Sequence, residues 1–271
     1  MRRRWAGILV GLLGAALFAS LVYTVVSERK QPGEIPGDGA ILSLGVLDKS
    51  YLIGTTKGLL RSTDGIHWKR EKRFGNGPVL LSTRDSEAVL VSDGISEKTS
   101  DFKTFEPAVG AFLESVAIYL DDEGNAYLAE KDRKVALSTP DRGIQRVPIK
   151  RGPKEVVAIA GIPGDPVTLF LGGLRSGFWR SSDGGVSWRH VLKTPTRAIV
   201  VDPYDERRVL IGTAGGIFLS EDTGKTWKYT SMREPIESLS EFRGRFFAVT
   251  GDRRIMVVDN ELSKWKPLVE E

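Results

Sequence analysis

The sequence predicts an all-β chain: a six-bladed β-propeller of four-stranded blades, preceded by one N-terminal transmembrane helix. Three observations carry that expectation. An aromatic residue recurs at a spacing near 40, with 39 positions from Trp188 to Trp227, 38 from Trp227 to Trp265 and 37 from Trp68 to Phe105. A turn signature stands just ahead of these aromatics. Between signatures, each unit holds short apolar runs separated by turns rich in Asp, Pro and Gly. Units of about 40 residues with four short strands each are the pattern of propeller blades.

Composition agrees. A chain of 271 residues suits one large domain, and 30 Gly with 13 Pro suit an all-β chain with many turns. There is no Cys, which excludes disulfides, thiol nucleophiles and Cys-ligated metals. The formal net charge is +4, but Arg2, Arg3 and Arg4 supply three of those charges. The remainder is close to neutral, without the pronounced basic face that nucleic-acid binding needs.

Residues 1–4 are read as a cytoplasmic basic tip. From Trp5 to Val26 no residue is charged, a run of 22, long enough to cross a bilayer as a helix. The three preceding Arg hold the N-terminus in the cytoplasm and put the rest of the chain on the extracytoplasmic side. A cleaved signal peptide is the rival reading. The run is too long for one, and Val25-Val26-Ser27 is a poor cleavage site, so residues 5–26 are read as an uncleaved single-pass anchor. Gly7, Gly11 and Ala15 form a row of small residues suited to helix pairing, although such residues are common filler in apolar helices. Residues 27–38 are polar, carry Pro32 and Pro36, and read as a linker.

Residues 39–271 divide into six units, starting near Ala40, Pro78, Ser115, Glu155, Arg197 and Ile236. In the fifth, Ala198-Ile199-Val200-Val201, Val209-Leu210-Ile211-Gly212 and Gly216-Ile217-Phe218-Leu219 are three strands in succession, and a fourth follows the turn signature. Each unit reads complete in chain order. No orphan strand is left to complete another blade, and the pattern does not say how the ring closes.

The signature is fullest at Ser181-Ser182-Asp183-Gly184-Gly185-Val186-Ser187-Trp188 and Ser220-Glu221-Asp222-Thr223-Gly224-Lys225-Thr226-Trp227. A copy one residue shorter stands at Ser62-Thr63-Asp64-Gly65-Ile66-His67-Trp68. The residue types build a turn. Asp accepts hydrogen bonds from N–H groups a few positions on, Gly takes the positive-φ position, and the Ser hydroxyl satisfies another turn donor. The Trp is expected to fold back as an apolar plug beneath the turn. Decayed copies stand at Thr99-Ser100-Asp101-Phe102-Lys103-Thr104-Phe105 and around Asp259 and Ser263, while 138–143 keeps Asp141 and Gly143 but has no Trp.

This pattern resembles the Asp-box, or BNR repeat, of sialidase-like β-propellers, and residues 39–271 most resemble the photosystem II assembly-factor-like members. That resemblance implies a docking platform that helps a membrane complex assemble, with an unidentified membrane-associated protein as partner. It implies structural rather than chemical roles for Ser62, Asp64, Gly65, Trp68, Ser181, Asp183, Gly185, Trp188, Ser220, Asp222, Gly224 and Trp227.

The sialidase side of the resemblance implies the alternative, a glycoside hydrolase or glycan-binding protein. Sialidases hold a carboxylate with three Arg and use a Tyr nucleophile, an exception among glycosidases. Their Phe/Tyr-Arg-Ile-Pro signature survives only as Gly161-Ile162-Pro163, mid-chain and without the Arg. Tyr51, Tyr119, Tyr127, Tyr204 and Tyr229 have no partner pattern, and the loops are short. A catalytic role is therefore not expected. Neither is a cofactor, nor a metal: His67 and His190 lie at unrelated positions, and Asp121-Asp122-Glu123-Gly124-Asn125 reads as a hairpin turn rather than a calcium loop.

Charge is distributed by loop. Loops between second and third strands carry Lys57, Lys131, Arg133, Lys134, Arg175, Arg253 and Arg254, whereas Asp and Glu dominate those between first and second strands. This predicts a basic face opposite the boxes, with Lys57, Arg175, Arg253 and Arg254 as partner-binding residues, set against the plainer reading of ordinary solvated loops.

Overall fold

A computed structural model describes residues 33–268 apart from 38, 85, 112–114, 122, 123, 132 and 140–142. The anchor expected at 5–26 lies outside the described residues. Among those described, no helix is long and apolar enough to cross a membrane.

The described strands form six sheets of four, each an antiparallel meander in chain order. We number the blades by sequence: 41–70, 79–111, 115–148, 158–192, 198–229 and 236–267. The unit boundaries expected from the aromatic spacing coincide with these. Each first strand faces the axis: Ile41–Leu47, Val79–Arg84, Ser115–Leu120, Ala158–Ile162, Ala198–Val201 and Ile236–Phe242. Each packs on the next around the ring, and that of blade 1 also packs on that of blade 6.

The core is divided among the seams. Six apolar clusters each straddle one pair of adjacent blades, including the pair 6 and 1. The reason is geometric: a twisted sheet buries both faces only when wedged between two others, so every blade depends on its neighbours. Some backbones approach too closely for a side chain. A Cβ at Gly54 would fall 2.3 Å from the Val79 carbonyl oxygen, across the seam between blades 1 and 2, and 2.4 Å from Ser43 Oγ on the neighbouring strand of blade 1. Ser43 Oγ accepts the Leu81 N–H at 3.0 Å across the same seam.

Closure uses no strand exchange. Blade 6 takes all four strands from its own stretch of chain. The ring is locked instead by residues 33–37 and 39, which lie against the loop between the second and third strands of blade 6. Arg253 donates from Nε to the Ile35 carbonyl at 3.1 Å, from Nη1 to that of Gly39 at 2.9 Å and from Nη2 to that of Pro36 at 2.7 Å. The Ile35 N–H returns a bond to the Arg253 carbonyl at 2.9 Å. Ile35 is 0% exposed and packs among Val249, Ile255 and Leu60. Residues 33–37, expected to be linker, are thus docked on the propeller body.

Candidate functional site

The box turns fold as their residue types dictate. In blade 5, the Ser220 hydroxyl donates to Asp222 Oδ1 at 2.8 Å and accepts the Gly224 N–H at 2.8 Å. Asp222 Oδ1 accepts the N–H groups of Lys225 and Thr226 at 2.9 and 2.8 Å, and Oδ2 takes the Thr226 hydroxyl at 2.6 Å. Blade 4 repeats this with Ser181, Asp183, Gly185 and Ser187. In blade 1, Ser62 and Asp64 make the same bonds and the His67 ring replaces the hydroxyl, at 2.7 Å from Asp64 Oδ2. The decayed copy in blade 2 is chemically intact: Asp101 accepts from Lys103 and Thr104, while Phe102, at φ 58°, occupies the glycine position.

These hydrogen bonds hold the box carboxylates ionised. The His67 ring, then the N–H groups of His67 and Ile66, holds Asp64 well below the usual carboxylate range. Burial pushes Asp222 up, but the bonds from Thr226, Ser220 and Lys225 together outweigh it and leave Asp222 lowered. Asp183 is lowered through the same balance, with Ser187 as its main hydrogen-bonding partner.

The indoles reach beyond their own turns, although Trp188 also donates from Nε1 to the Gly185 carbonyl of its own turn at 2.9 Å. Each packs on the blade before it: Trp227 on Phe178, with centroids 4.8 Å apart and planes at 74°; Trp188 in the cluster with Tyr119 and Tyr127; Trp265 with Leu210 and Ile217; Trp68 with Phe247 and Val257. The expected plug beneath the turn holds at Trp188, and each indole also staples its blade to the one before, because the turn leans over the seam. Arg180 of blade 4 donates to the Thr223 carbonyl of the blade 5 turn at 3.0 Å.

Opposite the boxes the six inner strands open into an axial funnel of about 730 Å³. Its wall is mostly aliphatic, with Ile41, Leu42, Leu80, Val116, Val156 and Leu174, and narrows into a lumen of about 130 Å³. Arg197 and Glu237 pair across blades 5 and 6 at 2.9 Å on the funnel wall. Asp93 is exposed there and makes no ion pair among the described residues. An apolar cavity of a few hundred Å³ with a few convergent polar groups is the usual form of a binding site.

The expected basic face is this funnel face, and the structure distributes its cations unevenly. Lys57 and Arg175 are exposed and carry no ion pair among the described residues. Arg254 is held by Asp252 at 2.6 Å and Glu234 at 3.2 Å. Arg253 is committed to closing the ring. Lys131 and Lys134 also have partners, and the Arg133 guanidinium reaches the Ile149 carbonyl. Counting cations by loop missed these pairings, because Glu234, the Ile149 carbonyl and residues 35, 36 and 39 come from other segments and Asp252 lies in the same loop as Arg254.

The remaining candidates resolve into structure. Tyr119 and Tyr127 are a buried pair 5.7 Å apart. Tyr51 packs near Phe247. Tyr229 lies against Phe218 with the Arg233 guanidinium over its ring, and Tyr204 is exposed on a box-face loop. His190 stacks on Trp179. Asp121 accepts the Asn125 N–H and side-chain amide, each at 2.8 Å, as a hairpin turn requires. No group of His, Asp and Glu suited to a metal occurs among the described residues. Two features had no expectation: the Arg253 clasp, and a box-face link in which Arg208 joins buried Asp202 at 2.8 Å to Asn260 of blade 6. A signal for the first was present, since Ile35 is the one large apolar residue in the polar stretch 27–38.

Six blades of four strands, with box turns over the seams, define a six-bladed β-propeller. No family model matches the chain. In fold it is similar to the structure of YCF48 bound to D1 peptide, with a TM-score of 0.57 and 13% identity, over 81% of this chain and 77% of that one. It is also similar to the extracellular domain of the putative hybrid two component system BT4673 from B. thetaiotaomicron, with a TM-score of 0.58 and 15% identity, over 88% of this chain and 34% of that one. Curated relatives include the oligoxyloglucan-reducing end-specific xyloglucanase of Emericella nidulans, 26% identical over 125 residues, and a probable counterpart in Neosartorya fischeri, 27% identical over 139. These matches span 41% and 42% of this chain but only 15% and 17% of the relatives.

Proposed function

We propose that this protein is a non-catalytic docking propeller. It is anchored through residues 5–26 with its N-terminus in the cytoplasm, and it holds a membrane-associated protein or complex on the extracytoplasmic side. The observation that carries this reading is the aliphatic funnel, about 730 Å³, opening on the face where Lys57 and Arg175 stand unpaired. A wide apolar mouth with free cations at its rim suits a polypeptide segment better than a small polar substrate. The likeness in fold to a propeller solved with a bound peptide supports it. The test is co-purification from detergent-solubilised native membranes. The wild-type chain is expected to retain a membrane complex, and Lys57→Glu with Arg175→Glu and Leu174→Asp to lose it. Unchanged recovery would sink the docking role of this face.

A second reading has one observation in its favour: the curated relatives are xyloglucanases. Under it the funnel takes a glycan. Release of reducing ends from xyloglucan oligosaccharides by the purified chain would establish that reading, and absence of turnover together with a retained protein complex would remove it.

A further inference from the structure

The place where the chain joins the ring fixes which way the funnel points. Residues 33–37 and 39 lie over the seam between blades 6 and 1, on the funnel side, with Gly39 against Thr55 and Thr56 and Ile35 held by Arg253. Ala40 and Ile41 then run directly into the funnel wall. Residues 33–37 therefore lie on the funnel face, not on the box face. The apolar run ends at Val26, so residues 27–32 are all that separates it from the docked segment. Six residues reach at most about 20 Å when fully extended.

We infer that the funnel face is the membrane-facing surface of the propeller, held against the lipid headgroups, and that the box face points into the compartment. This rests on the anchor reading above. The chemistry of the two faces agrees with it. The funnel face carries unpaired Lys57 and Arg175 beside exposed Ile95 and Leu174, the mixture of cation and aliphatic side chain that an anionic headgroup layer accommodates. The Arg253 clasp prevents the tether from simply peeling away to let the ring turn over. A partner docked in the funnel would therefore be a segment at the bilayer surface, not one arriving from the compartment.

The absence of Cys makes the test direct. Ile95 on the funnel face and Val186 on the box face are equally exposed, at 65% each. Full-length Ile95→Cys and Val186→Cys, each carrying an environment-sensitive fluorophore, are reconstituted into vesicles of phosphatidylcholine and phosphatidylglycerol. A fraction of the lipid bears a nitroxide on its headgroup. Arg175→Cys and Tyr204→Cys repeat the comparison on the same two faces. The expected result is quenching severalfold stronger at Ile95 and Arg175 than at Val186 and Tyr204. Equal quenching on both faces, or the reverse order, overturns the inference. Flotation of the same vesicles after alkaline extraction separates the two readings. A chain that floats but shows equal quenching keeps its anchor and loses its orientation, whereas a chain that does not float loses both.

Discussion

Two seams of this ring are held by different means. Between blades 4 and 5, Trp227 meets Phe178 edge-on at 4.8 Å, Phe178 stacks on Phe170 at 5.5 Å, and Arg180 grips the Thr223 carbonyl of the box turn. Between blades 2 and 3, the buried cluster is aliphatic, with Leu80, Val89 and Val91 set against Ile118, Leu120 and Leu128 and no aromatic ring among the described residues. The turn signature of blade 3 is the one with neither Trp nor Phe at its end, where blade 2 keeps Phe105. The contrast shows what the box is for. Each indole covers the blade before it, so a decayed box weakens a seam and leaves its own hairpin paired. The four strands of blade 3 are indeed paired, with a single register shift at Ala129/Glu130.

The largest effect is expected where an aromatic staple is removed. Trp227→Ala should lower stability by roughly 3 kcal/mol, from lost burial and the ring left beside Phe178 without its partner. Ile144→Ala, at a half-buried aliphatic position of the seam between blades 2 and 3, should cost about 1 kcal/mol. Urea denaturation measures both, and equal losses would break the comparison. In the wild-type protein, hydrogen exchange should be faster in the strands of blade 3 than in those of blade 5, since local opening follows the weakest packing.

Next comes the closing seam, which has what neither of those has: a clasp from outside the blades. Arg253→Ala removes three charge-assisted bonds to carbonyls at once and should cost about 2–3 kcal/mol. Arg253→Lys should recover only part, because a point charge cannot reproduce the planar fork. Limited proteolysis adds a local readout, with cleavage near residues 33–39 expected only when the clasp is gone. An uncut variant of full stability would show that Ile35 alone closes the ring. A smaller loss is expected from Asp222→Ala, about 1 kcal/mol, since it removes an exposed turn's acceptor and leaves the indole in place.

The same contrast explains what was legible in the sequence. Blade number, strand order and unit boundaries follow from local signals, namely short apolar runs, Gly turns and the spacing of Trp188, Trp227 and Trp265, and all of these appeared as expected. The turn chemistry of Asp64, Asp183 and Asp222 was legible for the same reason, since its partners lie within four residues. What failed to show was non-local. The direction in which Trp227 leans, the pairing of Arg254 with Glu234 and the capture of Ile35 by Arg253 depend on residues brought together only by closing the ring. Arg253 and Ile35 are more than 200 positions apart, and no window along the chain holds both. The funnel is likewise a property of the whole ring, with ordinary aliphatic residues from blades 1 to 4 and the Arg197–Glu237 pair from blades 5 and 6.

Acid should sharpen the difference between seams by the smallest but most specific margin. Asp64, Asp101, Asp183 and Asp222 are all lowered in the folded protein. The unfolded value is near 3.9. A carboxylate lowered by folding contributes stability that is fully present above its unfolded value and is lost as pH falls through the folded one. Stability should therefore be flat above about pH 5 and decline below about pH 4. The loss should fall on blades 1, 2, 4 and 5, whose turns carry these groups, while the seam between blades 2 and 3 draws no such carboxylate from the described part of the blade 3 turn. Exchange between blades 4 and 5 should accelerate on acidification toward the rate expected between blades 2 and 3. Asp64→Asn, Asp183→Asn and Asp222→Asn combined should flatten the acid slope. An unchanged slope in that triple variant would mean that the box carboxylates do not couple the turns to the ring.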